Sequence, residues 1–232
     1  MIHNSYKCLN KQIFELDEYK LLPIRLEDRY NIMKWRNDQI FHLRQKAPLT
    51  KADQDLYFEN IIKKQFSEDT PEQILFSFLR NEKCIGYGGL VHINWKLKIA
   101  EISFLISTEL EEKYFEIFWG EYLKIIENVA FKELSFIKIF TFSYCIRPKL
   151  YKVLGKLNYH KEKVLKNITT INSQLFDARI DVKYSNGFTV KPVSQKDIKQ
   201  IFIWVNEKEV RENSISSKKI SFKEHEEWFK KK

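Results

Sequence analysis

The best candidate for a functional site is the stretch from Ala100 to Leu134, where a strand pattern changes to a helix pattern. Alternating apolar residues over 98–107 predict a strand, and apolar residues at helical spacing from Phe115 to Ala130 predict a helix. The polar stretch Ser107–Lys113 between them is expected to be a short loop that opens onto the helix. Backbone N–H groups and the positive end of the helix dipole would meet there, so an anionic ligand could bind. On spacing alone, an ordinary structural connection is the stronger interpretation.

The elements around this stretch follow a regular order. The patterns predict, along the chain, strands within 12–25, helices from Asp28 and from Thr50, strands at 73–80, 83–93 and 98–107, the central helix, a strand at 136–145, a helix from Pro148 to Leu157 and two strands ending at Tyr184. Three glycines crowd one strand, which indicates a bulge or a close backbone approach and not a phosphate loop: Gly86, Gly88 and Gly89. The order predicts a fold that combines helices and strands (α/β in the broad sense) and that belongs to the α+β type, with a mixed sheet.

The composition favours a globular protein with a large core. The chain has 232 residues, of which 44% are hydrophobic and 15% aromatic, so global disorder is not expected. Its net charge of +9 admits three explanations. A solvated lysine-rich surface is favoured because the lysines alternate with acids, as in residues 223–232. A phosphate-bearing small ligand comes second, and nucleic acid is an unlikely partner.

Cysteine and histidine usage predicts a reduced protein without a metal. Cys8, Cys84 and Cys145 are far apart, which fits free thiols in a cytoplasmic protein. The five histidines show no metal-ligand spacing. No apolar run approaches the roughly 20 residues that a membrane span needs, and the first residues lack the apolar core of a signal peptide.

The sequence after residue 184 repeats its own beginning. At an offset of 169 positions, several residues recur: Pro23 as Pro192, Asp28 as Asp197, Ile32 as Ile201 and Trp35 as Trp204. We therefore expect a first domain over 1–184, a linker at 185–187, and an incomplete second copy over 188–232 with one strand and two helices. The apolar faces of that copy are expected to pack on the first domain or on a second chain, giving a possible homodimer.

Several segments carry a resemblance to a known family. PIRLEDRYNIMKWRND, IGYGGLVHI, AEISFLI and VLGKLNYHKE resemble the GNAT superfamily of acyl-CoA-dependent N-acetyltransferases over about residues 12–184, the last segment being similar to ribosomal-protein alanine acetyltransferases. The repeated part, with its EH-x-x-WF helix, resembles the opening of GNAT enzymes that acetylate amino sugars on nucleotide carriers. The resemblance implies the GNAT fold, with a partial second copy at the C-terminal end, and acetyl-CoA as the co-substrate.

The resemblance also implies where acetyl-CoA would bind. The pantetheine arm would meet three strand residues, Phe104, Leu105 and Ile106. The pyrophosphate would meet the start of the helix, at Lys113, Tyr114, Phe115 and Ile117, with Arg147 nearby.

This sequence departs from the family at the pyrophosphate site. The family's arginine falls at Tyr114, and its two glycines fall at Phe115 and Ile117. The asparagine that usually precedes the next helix is Arg147. Side chains at glycine positions obstruct close backbone approach, which argues against ordinary acetyl-CoA binding. Lys113 and Arg147 are the residues that could compensate by charge.

The resemblance places the general base at Glu101, on the central strand. The alternative for Glu101 is an exposed strand residue that alternates with buried Ile102. His92 is a second candidate, although a single histidine at a strand end is more often structural. The better alignment puts Leu154 where relatives have the tyrosine that acts as the general acid for the thiolate. Tyr151 is therefore expected to be a helix-packing residue.

Relatives line the acceptor pocket with the segment that contains Trp35 and Arg36. Trp35 is expected in the core, and Arg36 is the candidate for binding a phosphate or a carboxylate. The favoured function is therefore N-acetylation of a small amine, with a nucleotide-linked amino sugar of surface-polysaccharide synthesis as the acceptor. The alternative is a GNAT-fold domain that has lost catalysis and serves as a scaffold or regulatory partner.

Overall fold

Eight strands of the first 187 residues pair into one sheet. They are β1 (Phe14–Leu16), β2 (Tyr19–Pro23), β3 (Ile74–Arg80), β4 (Lys83–Asn94), β5 (Ile99–Ile106), β6 (Lys138–Tyr144), β7 (His160–Ile171) and β8 (Gln174–Tyr184). Their spatial order is β1-β2-β3-β4-β5-β6-β8-β7, and only β5 and β6 are parallel. The structure is a computed structural model that describes residues 4–171, 173–185 and 193–230. The predicted mixed sheet of an α+β fold is confirmed.

Five helices cover the sheet: α1 (Arg29–Asp38), α2 (Lys51–Tyr57), α3 (Lys63–Ser67), α4 (Thr108–Glu127) and α5 (Pro148–Lys156). π-helical turns join α2 to α3 and extend α4 to Glu133. Helix α2 begins at the predicted cap, where Thr50 Oγ1 accepts a hydrogen bond from the Asp53 amide at 3.2 Å. Pro148 begins α5, as proline at the first helical position favours.

The sheet has an apolar core on each face. On one face α4 buries its predicted apolar stripe, and Phe104 stacks on Tyr122 with ring centres 3.6 Å apart. On the other face, α1 buries Ile32 and Trp35 against the sheet, and the π-helical turn after α2 buries Phe58. The predicted core position of Trp35 is thereby confirmed.

The glycine-rich part of β4 is a close backbone approach. A Cβ atom built on Gly88 would lie 2.2 Å from the Ser103 carbonyl oxygen and 2.7 Å from the Tyr122 hydroxyl. That space admits the Tyr122 side chain, whose hydroxyl donates to the Ser103 oxygen at 2.9 Å. The pairing of β3 with β4 also shifts register between Phe78 and Leu79. Both features agree with the prediction made from the glycines.

Strands β5 and β6 diverge soon after they begin to pair. Residues Ile99, Ala100 and Glu101 are paired with β6, and the rest of β5 is not. Because β4 continues to pair along β5 as far as Ile106, only the β6 side opens. A wedge is left between the two parallel strands beyond Glu101.

The second unit, residues 188–232, is described from residue 193 to residue 230. It contains a 3-10 turn (Gln195–Asp197), α6 (Ile198–Val205), α7 (Lys208–Glu212) and α8 (Phe222–Lys230). His225 is buried, with Nε2 3.1 Å from the Ile198 carbonyl oxygen. Most of the strand predicted for the second copy, and linker residues 186 and 187, lie outside the described residues. In the described parts of both units, every helix is too short or too polar to cross a bilayer.

Candidate active site

The wedge between β5 and β6 is walled by residues from the strands and from the helices beside them. Its lining comprises Glu101, Ile102, Ser103 and Phe104 of β5, Thr141, Phe142, Ser143 and Tyr144 of β6, His42–Arg44, Trp119, Arg147 and Leu150. The free volume is about 90 Å³, below the roughly 300 Å³ at which small-molecule pockets usually begin. Two of the lining residues are arginines, Arg44 and Arg147.

Glu101 is the carboxylate at the narrow end of the wedge. Its side chain is 6% exposed and forms an ion pair with Arg44. Its second oxygen lies 2.8 Å from His92 Nδ1. Arg44 also lies over the Phe142 ring, 4.9 Å from its centre. The interpretation of Glu101 as an exposed strand residue is therefore wrong: its side chain points to the face covered by α1 and α2, where two cationic or potentially cationic groups hold it.

The segment expected to be a loop, Ser107–Lys113, is helical from Thr108. The amides of Leu110 and Glu111 both donate to the Ser107 carbonyl oxygen at 3.0 Å, so the turn closes on itself. The chain then kinks at Tyr114, whose φ of −128° and ψ of 22° are not helical. The loop prediction was wrong because glutamate and leucine, which favour helix, occupy most of this stretch.

A part-buried ion pair lies beside the wedge, between Glu111 and the lining residue Arg147. Glu111 Oε1 accepts from Arg147 Nη2 at 2.6 Å. The Arg147 guanidinium lies 5.3 Å from the ring centres of both Phe115 and Trp119. Burial raises the pKa of Glu111 and lowers the pKa of Arg147. Arg147, expected to offer its charge to a ligand, is thus committed to a carboxylate of the same chain.

The remaining predicted donor-site residues lie in varied places. Phe104 lines the wedge, whereas the Leu105 and Ile106 side chains are buried in the cores of the two faces. The Ile106 carbonyl oxygen accepts a hydrogen bond from Gln39 Nε2 at 2.8 Å. Three residues on the first turns of α4 are exposed to solvent: Lys113, Tyr114 and Ile117.

A second cavity lies on the other side of β5, beneath α1 and α2. It holds about 260 Å³ and is lined by Ile24, Ile32, Arg36, Leu49, Asp53, Gln54, Tyr57, Phe58, Gln73, Leu75, Tyr87, Val91 and Ser103. Arg36 Nη1 donates to the Tyr87 hydroxyl at 2.7 Å. Ser103 lines this cavity and also the wedge. We call this space the α1–α2 cavity.

A sequence model of the acetyltransferase (GNAT) domain matches residues 21–180, more than half of the chain. The chain therefore belongs to the GNAT acetyltransferase family, whose enzymes are acetyl-CoA-dependent N-acetyltransferases. The resemblance drawn from the sequence is confirmed at this level.

Solved structures share the fold. The spermidine N-acetyltransferase of Vibrio cholerae in complex with CoA and spermine has a TM-score of 0.63 and 17% identity, covering 73% of this chain and 97% of its own. The same enzyme as a dodecamer has a TM-score of 0.61 and 18% identity, covering 73% of this chain and 95% of its own. A probable acetyltransferase (GNAT family) of Chromobacterium violaceum has a TM-score of 0.61 and 10% identity, covering 79% of this chain and 97% of its own. Among curated proteins, none matches this sequence.

Acetyl-CoA fits this site only in part. The wedge offers two buried polar groups without a partner among the described residues, Trp119 Nε1 and Thr141 Oγ1, which would suit the amides of a pantetheine arm. The start of α4 does not suit a pyrophosphate. It presents Glu109, Glu111 and Glu112 where negative charge would have to bind, and like charges repel. The residues present therefore do not fit the donor's phosphate groups.

The part of the chain that the structure describes holds no group of three or more histidine, cysteine, aspartate or glutamate side chains placed for a metal ion.

Removing the charge of Glu111 is expected to improve acetyl-CoA binding. Glu111→Gln keeps an oxygen for Arg147 and frees its charge for the donor's phosphates, so we expect affinity to rise about tenfold. Titration calorimetry with acetyl-CoA and with S-acetylpantetheine, which lacks the phosphates, measures the effect. S-Acetylpantetheine affinity should not change.

The matched control is Glu116→Gln. Glu116 lies farther along α4 on its exposed side and pairs with Lys152 at 2.8 Å and Lys156 at 2.9 Å. The net charge change is the same, but the wedge is not altered. Equal gains in both variants, or none in Glu111→Gln, would contradict the charge argument.

His42 should make the fold acid-sensitive. Its pKa is lowered from 6.5 to about 3, first by burial and then by Arg147. A lowered folded-state pKa gives stability that is present above pH 6.5 and lost as the pH falls toward 3. At pH 5 the loss is about 2 kcal/mol. Urea unfolding of wild type and His42→Gln at pH 7 and pH 5 measures it.

The variant should lose less stability than wild type between these pH values. Glu111, whose pKa is raised, and Arg147 face His42 in both proteins, so their contributions cancel in the comparison. Parallel pH dependence in the two proteins would show that His42 does not carry the effect.

Sequence reasoning missed Arg44, Glu111 and Ser103. Arg44 follows the helix that contains Arg36, yet it reaches Glu101 across 57 positions of chain, and no local pattern announces that pairing. A signal did exist for Glu111, because three glutamates stand at the beginning of a helix. Ser103 is a small polar residue among large apolar ones in β5, and that contrast could have marked it.

Proposed function

We propose that this chain transfers an acetyl group from a pantetheine thioester to a small amine. The observation that carries the proposal is the shared wall at Ser103. The wedge opens on one side of this residue and the α1–α2 cavity on the other. A thioester in the wedge and an amine in the cavity would meet at one strand, which is the proximity that acyl transfer needs.

Glu101 is proposed as the group that takes a proton from the ammonium form of the acceptor. It lies two residues from Ser103 on the same face of β5. In the present arrangement Arg44 neutralises its charge. Base function therefore requires Arg44 to withdraw, and the Arg44 side chain, 48% exposed, has solvent into which it can move. His92 would then remain as the partner that orients the carboxylate.

Two acceptor classes have support from different sources. Sequence similarity of the repeated part to amino-sugar acetyltransferases supports a nucleotide-linked amino sugar. The fold similarity to a spermidine acetyltransferase supports a polyamine. Both classes, with acetyl-CoA as the family's donor, would be met in the cytoplasm, where we place the protein.

The second unit is proposed to be the partial copy of a GNAT domain. In the first unit a 3-10 turn over Leu26–Asp28 leads into α1, and 169 positions later the turn Gln195–Asp197 leads into α6. Thr50 caps α2, and Ser221 makes the equivalent bonds with Glu224. Its helices expose Ile203, Trp204 and Trp228, which supports assembly of two chains through this unit.

A non-catalytic role is the alternative. The specific observations in its favour are the acidic start of α4 and the Arg44 side chain on Glu101. In that case the chain would keep the family fold as a scaffold or regulatory partner.

The deciding experiment supplies acetyl-CoA or S-acetylpantetheine together with a panel of amines and measures released thiol and acetylated product. We expect amine-dependent thiol release, with product identified by mass spectrometry. If the folded protein releases no thiol above background with either donor and any amine, the acetyltransferase proposal is wrong and the non-catalytic scaffold role takes its place.

A further inference from the structure

We infer that the α1–α2 cavity binds an amine that also carries an acidic group, a carboxylate or a phosphate, held by Arg36. That this amine is the acceptor of the acetyl group rests on the proposed function. The binding itself does not, because it concerns the cavity alone.

Arg36 is the exception among the arginines of the first unit. The other six each pair with a carboxylate: Arg25 with Asp28, Arg29 with Asp55, Arg44 with Glu101, Arg80 with Glu18, Arg147 with Glu111 and Arg179 with Asp181. No described carboxylate pairs with Arg36, whose hydrogen bonds go to neutral oxygens. A part-buried guanidinium without a counter-charge is costly, and a bound anion would supply that charge.

The guanidinium is held in a fixed orientation. Arg36 Nε donates to Gln45 Oε1 at 2.9 Å and Nη1 donates to the Tyr87 hydroxyl at 2.7 Å. Gln45 is itself held by Asn37 Oδ1 at 3.0 Å, and Asn37 bonds the backbone of Leu49. Among the described residues, none accepts a hydrogen bond from Nη2. A preorganised guanidinium with a free edge suits the planar oxygens of a carboxylate or two oxygens of a phosphate.

The rest of the cavity suits a small organic molecule. Six of the thirteen lining residues are apolar, and the polar pair Tyr57 and Gln73 is already hydrogen-bonded within the cavity. Asp53 is the sole carboxylate among the lining residues, and its Oδ2 is engaged by the Thr50 amide at 2.8 Å and the Thr50 hydroxyl at 2.6 Å. The cavity volume of about 260 Å³ is close to the roughly 300 Å³ at which small-molecule pockets usually begin, so it suits only a small metabolite. A polycation would bring its charge against Arg36, so spermidine is disfavoured.

Matched pairs of amines test the inference without any acyl donor. β-Alanine differs from propylamine by its carboxylate, and glucosamine 6-phosphate differs from glucosamine by its phosphate. In titration calorimetry with the full chain, we expect at least one acidic member to bind about tenfold or more tightly than its partner. Which pair shows the difference distinguishes a carboxylate from a phosphate ligand.

Variants assign the effect to Arg36. Arg36→Gln should abolish the preference for the acidic member, and Arg36→Lys should keep part of it because the charge remains. Arg29→Gln is the control, since Arg29 lies on the same helix, pairs with Asp55 at 2.7 Å and does not line the cavity. If Arg36→Gln fails to fold, Arg36→Lys and the wild-type ligand pairs still decide.

The inference is overturned by equal binding within both pairs, by absence of binding of both acidic amines to folded wild type, or by tighter binding of spermidine. Its failure can be told from that of the proposed function. Binding of an acidic amine without its acetylation would support the inference and contradict the proposed acetyltransferase function. Acetylation of spermidine would support the proposed function and contradict the inference.

Discussion

Replacing Glu101 by glutamine is expected to lower amine-dependent thiol release by about 10²–10⁴-fold, the usual contribution of a general base. Glutamine keeps the volume of the side chain and can still bond Arg44 and His92, but it cannot take a proton. The loss should therefore appear in kcat, with little change in the KM for the amine. Steady-state kinetics with the best amine of the panel gives both constants.

Glu127→Gln is the matched control for this experiment. Glu127 is another weakly exposed glutamate with a cationic partner, Lys183 at 2.6 Å, and it lines neither the wedge nor the α1–α2 cavity. Its variant should retain the wild-type kcat. Comparable loss in both variants would point to a general effect on the fold. Full activity in Glu101→Gln would remove Glu101 from the mechanism.

Gly89→Ala is expected to destabilise the first unit by about 3 kcal/mol or more, since overpacking against a fixed backbone is among the most damaging core changes. A Cβ atom on Gly89 would lie 1.9 Å from the Ile74 carbonyl oxygen and 2.8 Å from the Leu75 Cα. Both atoms belong to the backbone of β3, so no side-chain rotation can relieve the clash. Urea unfolding followed by circular dichroism measures the loss, including failure to fold.

Gly120→Ala provides the opposite case in the same protein. Gly120 lies within α4, and nothing is within 4 Å of the position its Cβ would take. Alanine should stabilise the helix there by about 0.5–1 kcal/mol because glycine is the poorer helix former. If both variants shift stability in the same direction, the backbone clash at Gly89 is not the controlling factor.

Much of the fold was predictable because its determinants are local. The Thr50 and Asp53 cap, Pro148 at a helix start and the Asn81-Glu82 turn each act within a few residues. Asn81 and Glu82 adopt φ values of 46° and 64°, as a two-residue hairpin requires. The helical start of α4 was missed because its polar residues were interpreted as a loop between the strand and helix patterns, although the propensity of its glutamates and leucine favours a helix.

The site was less predictable because its partnerships join distant parts of the chain. The family resemblance marked Glu101, but its partners Arg44 and His92 meet it only in the folded sheet. Arg36 was singled out by its residue type. Its missing counter-charge could be recognised only after every other arginine of the first unit had been located.

The short pairing of β5 with β6 bears on how the protein folds and on what holds the two halves of its sheet together. Only three residue pairs join β1–β5 to the β6-β8-β7 half of the sheet, whereas β7 and β8 pair along most of their length. The β7–β8 hairpin is local in sequence, so it has a low entropic cost of closure and can form early. Beyond Glu101 the strand ladder contributes nothing to holding the halves together. That part is held by the apolar core that both halves share around α4 and α5, which includes Trp119, Ile139 and Leu150, and the first unit is compact as a whole.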